Sequence, residues 1–386
     1  MKPTRAAPEA APTKARARYI MMGGFLGAGK TTAVGRLARH LSGQGLRVGL
    51  ITNDQGRNLV DTAMLRAQGF ATEEIPGGCF CCRFNSLVDA AQRLTTATRP
   101  DVFIAEPVGS CTDLAATVTY PLRRLYGDDF LVAPVSVLVD PVRARRVFGL
   151  EKGGNFSAKV LYIYLKQLEE ADLLVISKCD LVDAARIESL RQAITARFPD
   201  KEILAVSVRQ DTNLEPWFAR LTSGEQSSRG AMNVDYQVYA EGEALLGWLN
   251  GTVQLRATNP FEADAFLQAL AGEIQRRLRA QNVEVAHLKM TLSPEASLTG
   301  EIAAVNLVRN DFVPELSFQL EEPIRSGQLI VNLRAEAAPE ALGNAVRDAL
   351  TAATRMVPTL QATLDHLEQF RPGKPIPTHR FEGLPV

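Results

Sequence analysis

The stretch Gly24-Phe-Leu-Gly27-Ala-Gly29-Lys30-Thr31-Thr32 decides how this chain is to be read. It satisfies G-x-x-x-x-G-K-[ST] in the place where that pattern has a mechanism. A short apolar run (19–22) precedes it, and it opens a helical pattern that Gly43 and Gly45 stop. Glycines let backbone N–H groups curl around a phosphate, and the helix start adds the positive end of its dipole. Lys30 is placed to reach the β- and γ-phosphates of a nucleotide. The Thr31 hydroxyl is placed to ligate Mg²⁺, a hard cation that takes oxygen donors. Gly24, Gly27, Ala28, Gly29, Lys30, Thr31 and Thr32 are thus the expected phosphate contacts.

Further apolar runs of the same kind follow at 48–52, 102–105, 135–139, 173–176 and 203–206. Each is short, rich in β-branched residues or Leu, and bounded by polar or turn residues, as strands of a parallel sheet buried on both faces are. Helical patterns at 87–94, 159–170 and 183–198 supply the crossovers. The fold class is α/β: a doubly wound, mostly parallel sheet over 18–221. A small polar segment (222–233) reads as a linker. Beyond it the rhythm changes. Helical patterns at 261–278 and 339–353 bracket strand-like runs at 283–292, 301–308 and 328–333, which predicts a smaller C-terminal α+β domain over 234–358, ferredoxin-like in outline. Residues 1–17, rich in Ala and Pro, read as a disordered tail, with an organelle transit peptide the minor alternative. Residues 359–386, with several prolines, read as an irregular tail.

A nucleotide site needs a group to read the base. Ser177-Lys178-Cys179-Asp180 follows the run at 173–176 and looks like the N/T-K-x-D guanine motif of P-loop GTPases. A carboxylate at Asp180 accepts both N–H groups of guanine and finds no matching pair on adenine. The Lys178 stem would pack along the ring, Ser177 stands where Asn is usual, and Ser207 could lie over the base.

Pro76-Gly77-Gly78-Cys79-Phe80-Cys81-Cys82 places three of the five cysteines in four positions, a spacing unlike a disulfide framework. If the loop curls, Cys79, Cys81 and Cys82 can converge on one soft or borderline ion, and three thiolates leave a tetrahedral ion one ligand short. The alternatives are apolar packing and a redox role. Cys111 reads by default as a free buried cysteine, and Cys179 has no metal role. His287 reads as a packed histidine rather than a ligand.

Taken together, these motifs resemble the CobW-type family of P-loop GTPases, close relatives of the urease- and hydrogenase-maturation GTPases. The resemblance rests on the loop at 24–32, on Gly78-Cys79-Phe80-Cys81-Cys82 with Glu74 before it, and on Asn53-Asp54-Gln55-Gly56 with Asp61 further on. Glu106-Pro-Val-Gly109 and Gln167 with Ala171-Asp172 complete it. It implies a GTPase and metallochaperone. Cys79, Cys81 and Cys82 would hold a transition metal, Zn²⁺ or Co²⁺ with Fe²⁺ a further option. Glu106 would act with Thr31 near Mg²⁺ and the γ-phosphate. Asp54 and Asp61 would belong to the switch region, Asp54 counting with Lys30 and Glu106 in the catalytic set. The implied partner is a client metalloprotein or a cofactor-assembly enzyme. The alternative within the family is a GTPase chaperone for a corrinoid-type cofactor of a partner enzyme. An ATP-using kinase and a non-enzymatic zinc or redox sensor are the competing classes outside it.

Composition narrows the rest. The 386 residues carry 43 Lys+Arg against 43 Asp+Glu, so no basic excess points to nucleic acid. No apolar run approaches the roughly 18 residues of a membrane span, so no membrane partner is expected. The cysteine usage suits a reduced, cytoplasmic setting. A homodimer is compatible with all of this.

Overall fold

The computed structural model describes residues 16–56, 60–224, 226, 230–295 and 300–383. The first part is a single parallel sheet. Its strands are β1 (Ala17–Gly24), β2 (Val48–Asn53), β3 (Thr72–Ile75), β4 (Val102–Glu106), β5 (Phe130–Val132), β6 (Ser136–Val139), β7 (Leu173–Ile176) and β8 (Glu202–Ala205). The order is β3-β2-β4-β1-β6-β7-β8, with β5 also paired to β1. Strands β2, β4, β6 and β7 are buried at every position, because helices cover both faces. Those helices are α1 (Lys30–Gly43), α2 (Val60–Ala67), α3 (Phe84–Thr98), α4 (Tyr120–Leu125), α5 (Pro141–Val147), α6 (Ala158–Glu170), α7 (Ala184–Arg197) and α8 (Leu214–Ser223). In α1, Ala33, Val34, Leu37, Ala38 and Leu41 recur at helical spacing and pack on the central strands. The chain passes from β1 to β2 on one side and reaches β6 on the other. The loop after β1 therefore sits where the strand order reverses, the place in such sheets where ligands bind.

The helix α9 (Tyr236–Leu245) packs on α6 and leads into a second, antiparallel sheet. Its elements are β9 (Gly247–Phe261), α10 (Ala263–Ala280), β10 (Val285–Pro294), β11 (Ala303–Leu307), β12 (Glu315–Phe318), β13 (Ile324–Ala335), α11 (Pro339–Thr354) and β14 (Gln361–Phe370). The order β12-β11-β10-β13-β9-β14 contains a split βαββαβ core, β14-β9-β13-β10, extended at one edge by β11 and β12. One face is apolar: Leu249, Val253, Leu288, Met290, Leu329, Val331 and Leu333 pack on Phe266, Leu267, Leu270 and Ile274 of α10. Each such buried side chain contributes about 1.5–3 kcal/mol. Period-2 alternation then sends Trp248, Asn250, His287, Lys289, Asn332 and Arg334 to the other face, which lies against the carboxyl edge of the first sheet.

Two expectations need correcting. Residues 361–370 are not an irregular tail. They form β14, which pairs with β9 along its length and supplies the fourth strand of the split core. The linker expected at 222–233 begins inside α8, and Gln226 N–H donates to Val132 O at 3.1 Å. The disordered tail expected at 1–17 lies almost wholly outside the described residues, as do 225 and 227–229 within the expected linker. Among the described residues no helix is long and apolar enough to cross a membrane.

Candidate functional site

Between β1 and α1 the chain turns through Gly27 (φ 79°) and Gly29 (φ 95°), conformations a side chain would strain. The turn leaves the first helical N–H groups of α1 pointing into a cavity of about 420 Å³. Lys30 is buried and its Nζ donates to Gly24 O at 3.0 Å. Burial pulls the Lys30 ammonium below its ordinary value, against the opposing charge of Glu106.

One residue on, Thr31 Oγ1 lies 2.6 Å from Asp61 Oδ1 and 3.0 Å from Glu106 Oε1. Asp61 is on α2 and Glu106 ends β4, so three elements deliver one hydroxyl and two carboxylates to a single point. Burial, reinforced by the Asp61 charge, pushes the Glu106 carboxyl up to about 7. Glu106 Oε2 is buried without a hydrogen-bond partner. A hydroxyl and two carboxylates, one of them with an orphaned oxygen, are the hard donor set that Mg²⁺ takes. Lys289 from β10 completes this cluster: its Nζ donates to Thr31 Oγ1 at 3.2 Å and to Asp61 Oδ1. Burial acts against the Asp61 charge, but Lys289 outweighs it and holds Asp61 below the usual carboxylate range. Asp61 and Glu106 likewise raise Lys289 against its own burial.

Ser177, Lys178 and Asp180 also line the cavity wall. Ser177 Oγ donates to Ala28 O at 2.8 Å and so pins the phosphate loop to the end of β7. Lys178, in a left-handed conformation (φ 51°), donates to Gly27 O at 2.6 Å and pairs with Asp140 at 2.9 Å. Asp140 also meets Arg309 of the second domain at 3.1 Å. Burial resists the Asp140 charge, but Lys178 and Arg309 together hold its carboxyl far below the ordinary range.

Not every expected contact faces the cavity. Ser207 is fully buried, with its hydroxyl accepting from Gln210 N–H in a turn, and its neighbours Val208 and Arg209 line the wall instead. Gly24 sits below the loop, where a Cβ would meet Leu138 O at 2.6 Å. Asp54 does line the cavity, but both of its oxygens face Arg334 of the second domain, at 3.1 and 2.9 Å. That guanidinium is itself fully buried and lies 4.0 Å from the centre of the Trp248 ring. The pairing makes Asp54 an interdomain contact rather than a free base.

The cysteine loop lies apart from this cavity. Gly78 (φ 150°) opens a turn in which Cys82 and Arg83 N–H donate to Cys79 O, ahead of α3. The three free thiols converge: Sγ–Sγ distances are 2.8 Å (Cys79 to Cys81), 3.1 Å (Cys79 to Cys82) and 3.7 Å (Cys81 to Cys82). Cys79 and Cys81 are buried, and Cys82 is half-buried. Hydrogen bonds from the Cys111, Cys81 and Cys82 thiols hold Cys79 well below the ordinary thiol value, while Cys82 is pushed up to about 11 by its neighbour Cys79. Cys111 is therefore part of this neighbourhood, as the sequence did not reveal. Residues 376–378 cover it: Ile376 N–H donates to Cys82 Sγ at 3.3 Å and Thr378 N–H to Cys81 O at 2.8 Å.

Two physical links join the sites. Asn53, at the end of β2 and on the cavity wall, donates from Nδ2 to Ile75 O (2.9 Å) and to Gly78 O (2.7 Å), next to Cys79. Glu106 and Cys111 belong to one loop, which Gln167 braces through Gly109 O and Cys111 O.

Comparison with known proteins gives these arrangements a context. Residues 18–205 match the family model described as CobW/HypB/UreG, nucleotide-binding domain. A zinc chaperone CobW from Sinorhizobium sp is 31% identical over 195 residues, which cover 45% of this chain and 54% of that protein. A zinc chaperone YeiR from Escherichia coli is 27% identical over 194 residues, covering 48% of this chain and 54% of that protein. The chain spans about half the length of the curated relatives it matches. Among solved structures, the Zn(II)-bound YjiA GTPase from E. coli aligns over 88% of this chain and 99% of its own, with a TM-score of 0.34 and 14% identity.

Proposed function

We propose, on the premise that residues 18–205 are a nucleotide-binding domain of the CobW/HypB/UreG family, that this chain is a GTP-hydrolysing metallochaperone. It takes up Zn²⁺, or Co²⁺ in its place, on Cys79, Cys81 and Cys82 and passes the ion to a client metalloprotein. The observation that carries this reading is the Asn53 bridge from the nucleotide cavity to Gly78, one residue before the converging thiols. The zinc chaperones similar to this chain support the choice of ion.

In the nucleotide pocket Lys30 and the loop amides would bind the phosphates, and Asp180 would select guanine. Thr31, Asp61 and Glu106 would hold Mg²⁺, which when bound neutralises charge at the β- and γ-phosphates. Glu106, with one unpartnered oxygen, is the carboxylate placed to act near the γ-phosphate. Loss of that phosphate would relax the segment after β2, and Asn53 would carry the change to the cysteine loop.

The test is a titration of Co²⁺ and Zn²⁺ into the reduced protein, with and without Mg²⁺ and a non-hydrolysable GTP analogue. A thiolate-to-Co²⁺ charge-transfer band should appear, vanish in the Cys81→Ser/Cys82→Ser variant, and report an affinity that changes about tenfold with nucleotide. A band that survives the double substitution would remove the cysteine loop as the metal site. Equal affinity in both nucleotide states would separate the GTPase from the metal.

A further inference from the structure

We propose that Lys289 is a cation supplied by the second domain to the phosphate end of the nucleotide pocket: it is held by Thr31 and Asp61, and would transfer to the terminal phosphate once Mg²⁺ takes those ligands. The proposal rests on reading the cavity as a GTP–Mg²⁺ site and adds a residue that the phosphate loop does not contain.

The placement comes from strand alternation. On β10, Leu288, Met290 and Leu292 enter the apolar core of the second domain, so Lys289 must project from the opposite face, against the first sheet. Its Nζ reaches Thr31 Oγ1 at 3.2 Å and Asp61 Oδ1, and Glu106 Oε1 is 3.0 Å from that same hydroxyl. A half-buried ammonium therefore touches the same hydroxyl and carboxylate that suit Mg²⁺. A dication and an ammonium cannot both use Asp61 Oδ1 in a pocket of low dielectric, because like charges that close repel strongly. Lys289 must then leave that oxygen. Its flexible four-carbon stem is anchored on a rigid strand, so the head group can swing while the backbone stays in place. With Glu106 engaged by Mg²⁺, the γ-phosphate would offer a displaced ammonium an anionic partner. GDP offers no such partner. The same face of the second sheet also holds Asp54, through Arg334, and Val60 N–H, through Asn332 Oδ1.

The experiment measures equilibrium binding of fluorescent GDP and of a fluorescent non-hydrolysable GTP analogue to the full chain across a Mg²⁺ series. Wild type is compared with Lys289→Met and Lys289→Arg, each checked for native circular dichroism. Lys289→Met should weaken the triphosphate about tenfold, change GDP less than about threefold, and lower the Mg²⁺ concentration needed for half-maximal GDP binding. Lys289→Arg should keep most of the triphosphate preference. If Lys289→Met does not fold, Lys289→Gln provides the same neutral comparison. A neutral variant with the wild-type preference for the triphosphate and the wild-type Mg²⁺ midpoint would overturn the assignment. Failure of the wild type to bind either nucleotide would instead overturn the reading of the cavity itself.

Discussion

Two buried clusters of acidic chemistry lie on opposite sides of Asn53 and differ in the source of their counter-charge. In the nucleotide cavity three carboxylates meet basic side chains: Asp54 faces Arg334, Asp61 faces Lys289, and Asp140 lies between Lys178 and Arg309, while Glu106 lies against the Thr31 hydroxyl. Lys178 apart, those cations come from the second domain. Around the cysteine loop Glu243 and Glu170 have hydroxyls and an amide for partners, whereas the Asp113 carboxylate meets a cation, Arg380. Glu243 accepts from Ser110 Oγ at 2.6 Å, and Glu170 from Thr112 Oγ1 and Ala115 N–H at 3.2 and 3.1 Å. Burial raises Glu243 and Cys111 well above their ordinary values. A buried anion needs a counter-charge or it stays protonated. The nucleotide cavity therefore draws cations from the second domain, whereas beside the cysteine loop burial disfavours charge on Glu170 and Glu243.

The strongest way to break this contrast is to remove a cation from the paired side. Arg334→Met leaves Asp54 facing a buried apolar wall and should cost about 3–5 kcal/mol in denaturant unfolding. Adding Asp54→Asn should recover much of that loss, because the stranded charge is gone. A single variant as stable as wild type would mean that the second domain does not neutralise the cavity.

The unpaired side makes a pH prediction. Burial, with the Asp113 charge adding to it, pushes the Glu170 carboxyl up to about 8. For an acid raised above its unfolded value, the stabilisation is complete below the ordinary carboxylate range and is lost as pH rises toward the folded value. Between pH 6 and pH 8 the wild type should thus lose about 2–3 kcal/mol through Glu170, at about 1.4 kcal/mol per unit. Glu170→Gln should flatten that slope in thermal or denaturant unfolding. An identical slope in the variant would show that Glu170 is ionised in the fold and that the side lacking cations tolerates charge.

The contrast also explains what could be read from sequence. The phosphate loop, the Ser177–Asp180 motif and the Cys79–Cys82 cluster are local, because each chemistry is completed within a few consecutive residues, and each was legible. The α/β alternation was legible because buried parallel strands read as continuous apolar runs. Strands β9 and β14 escaped because β14 is a largely exposed edge strand without an apolar stripe, and β9 contains Gly251 and Pro260. The cations escaped for another reason: Lys289 and Arg334 lie 228 and 280 residues from their partners Asp61 and Asp54, and no spacing rule spans such distances. The alternation Leu288-Lys289-Met290 could at most have indicated that Lys289 lies on the face away from the core. Ser207 misled because a hydroxyl at a strand end serves a turn as readily as a ligand.

The smallest effect, and the finest test of the contrast, concerns the segment that covers the thiols. There the buried carboxylate of Asp113 has a cationic partner, Arg380, at 2.8 Å, while Tyr236 OH donates to it at 2.7 Å. Arg380 is partly exposed, so screening limits its worth, and Arg380→Met should cost only about 1 kcal/mol. Because Ile376 and Thr378 hang from the same segment, that loss should appear locally, as an approximately fivefold faster amide exchange at those two residues, with the global unfolding midpoint unchanged. Zinc should act in the opposite sense. A bound ion makes Cys82 a thiolate, and a charged acceptor strengthens the hydrogen bond from Ile376 N–H at 3.3 Å. Slower exchange at Ile376 with zinc, in wild type and Arg380→Met alike, would place the missing positive charge on the ion. Exchange that responds to Arg380 but not to zinc would place it on the protein, and the cysteine loop would then resemble the nucleotide cavity after all.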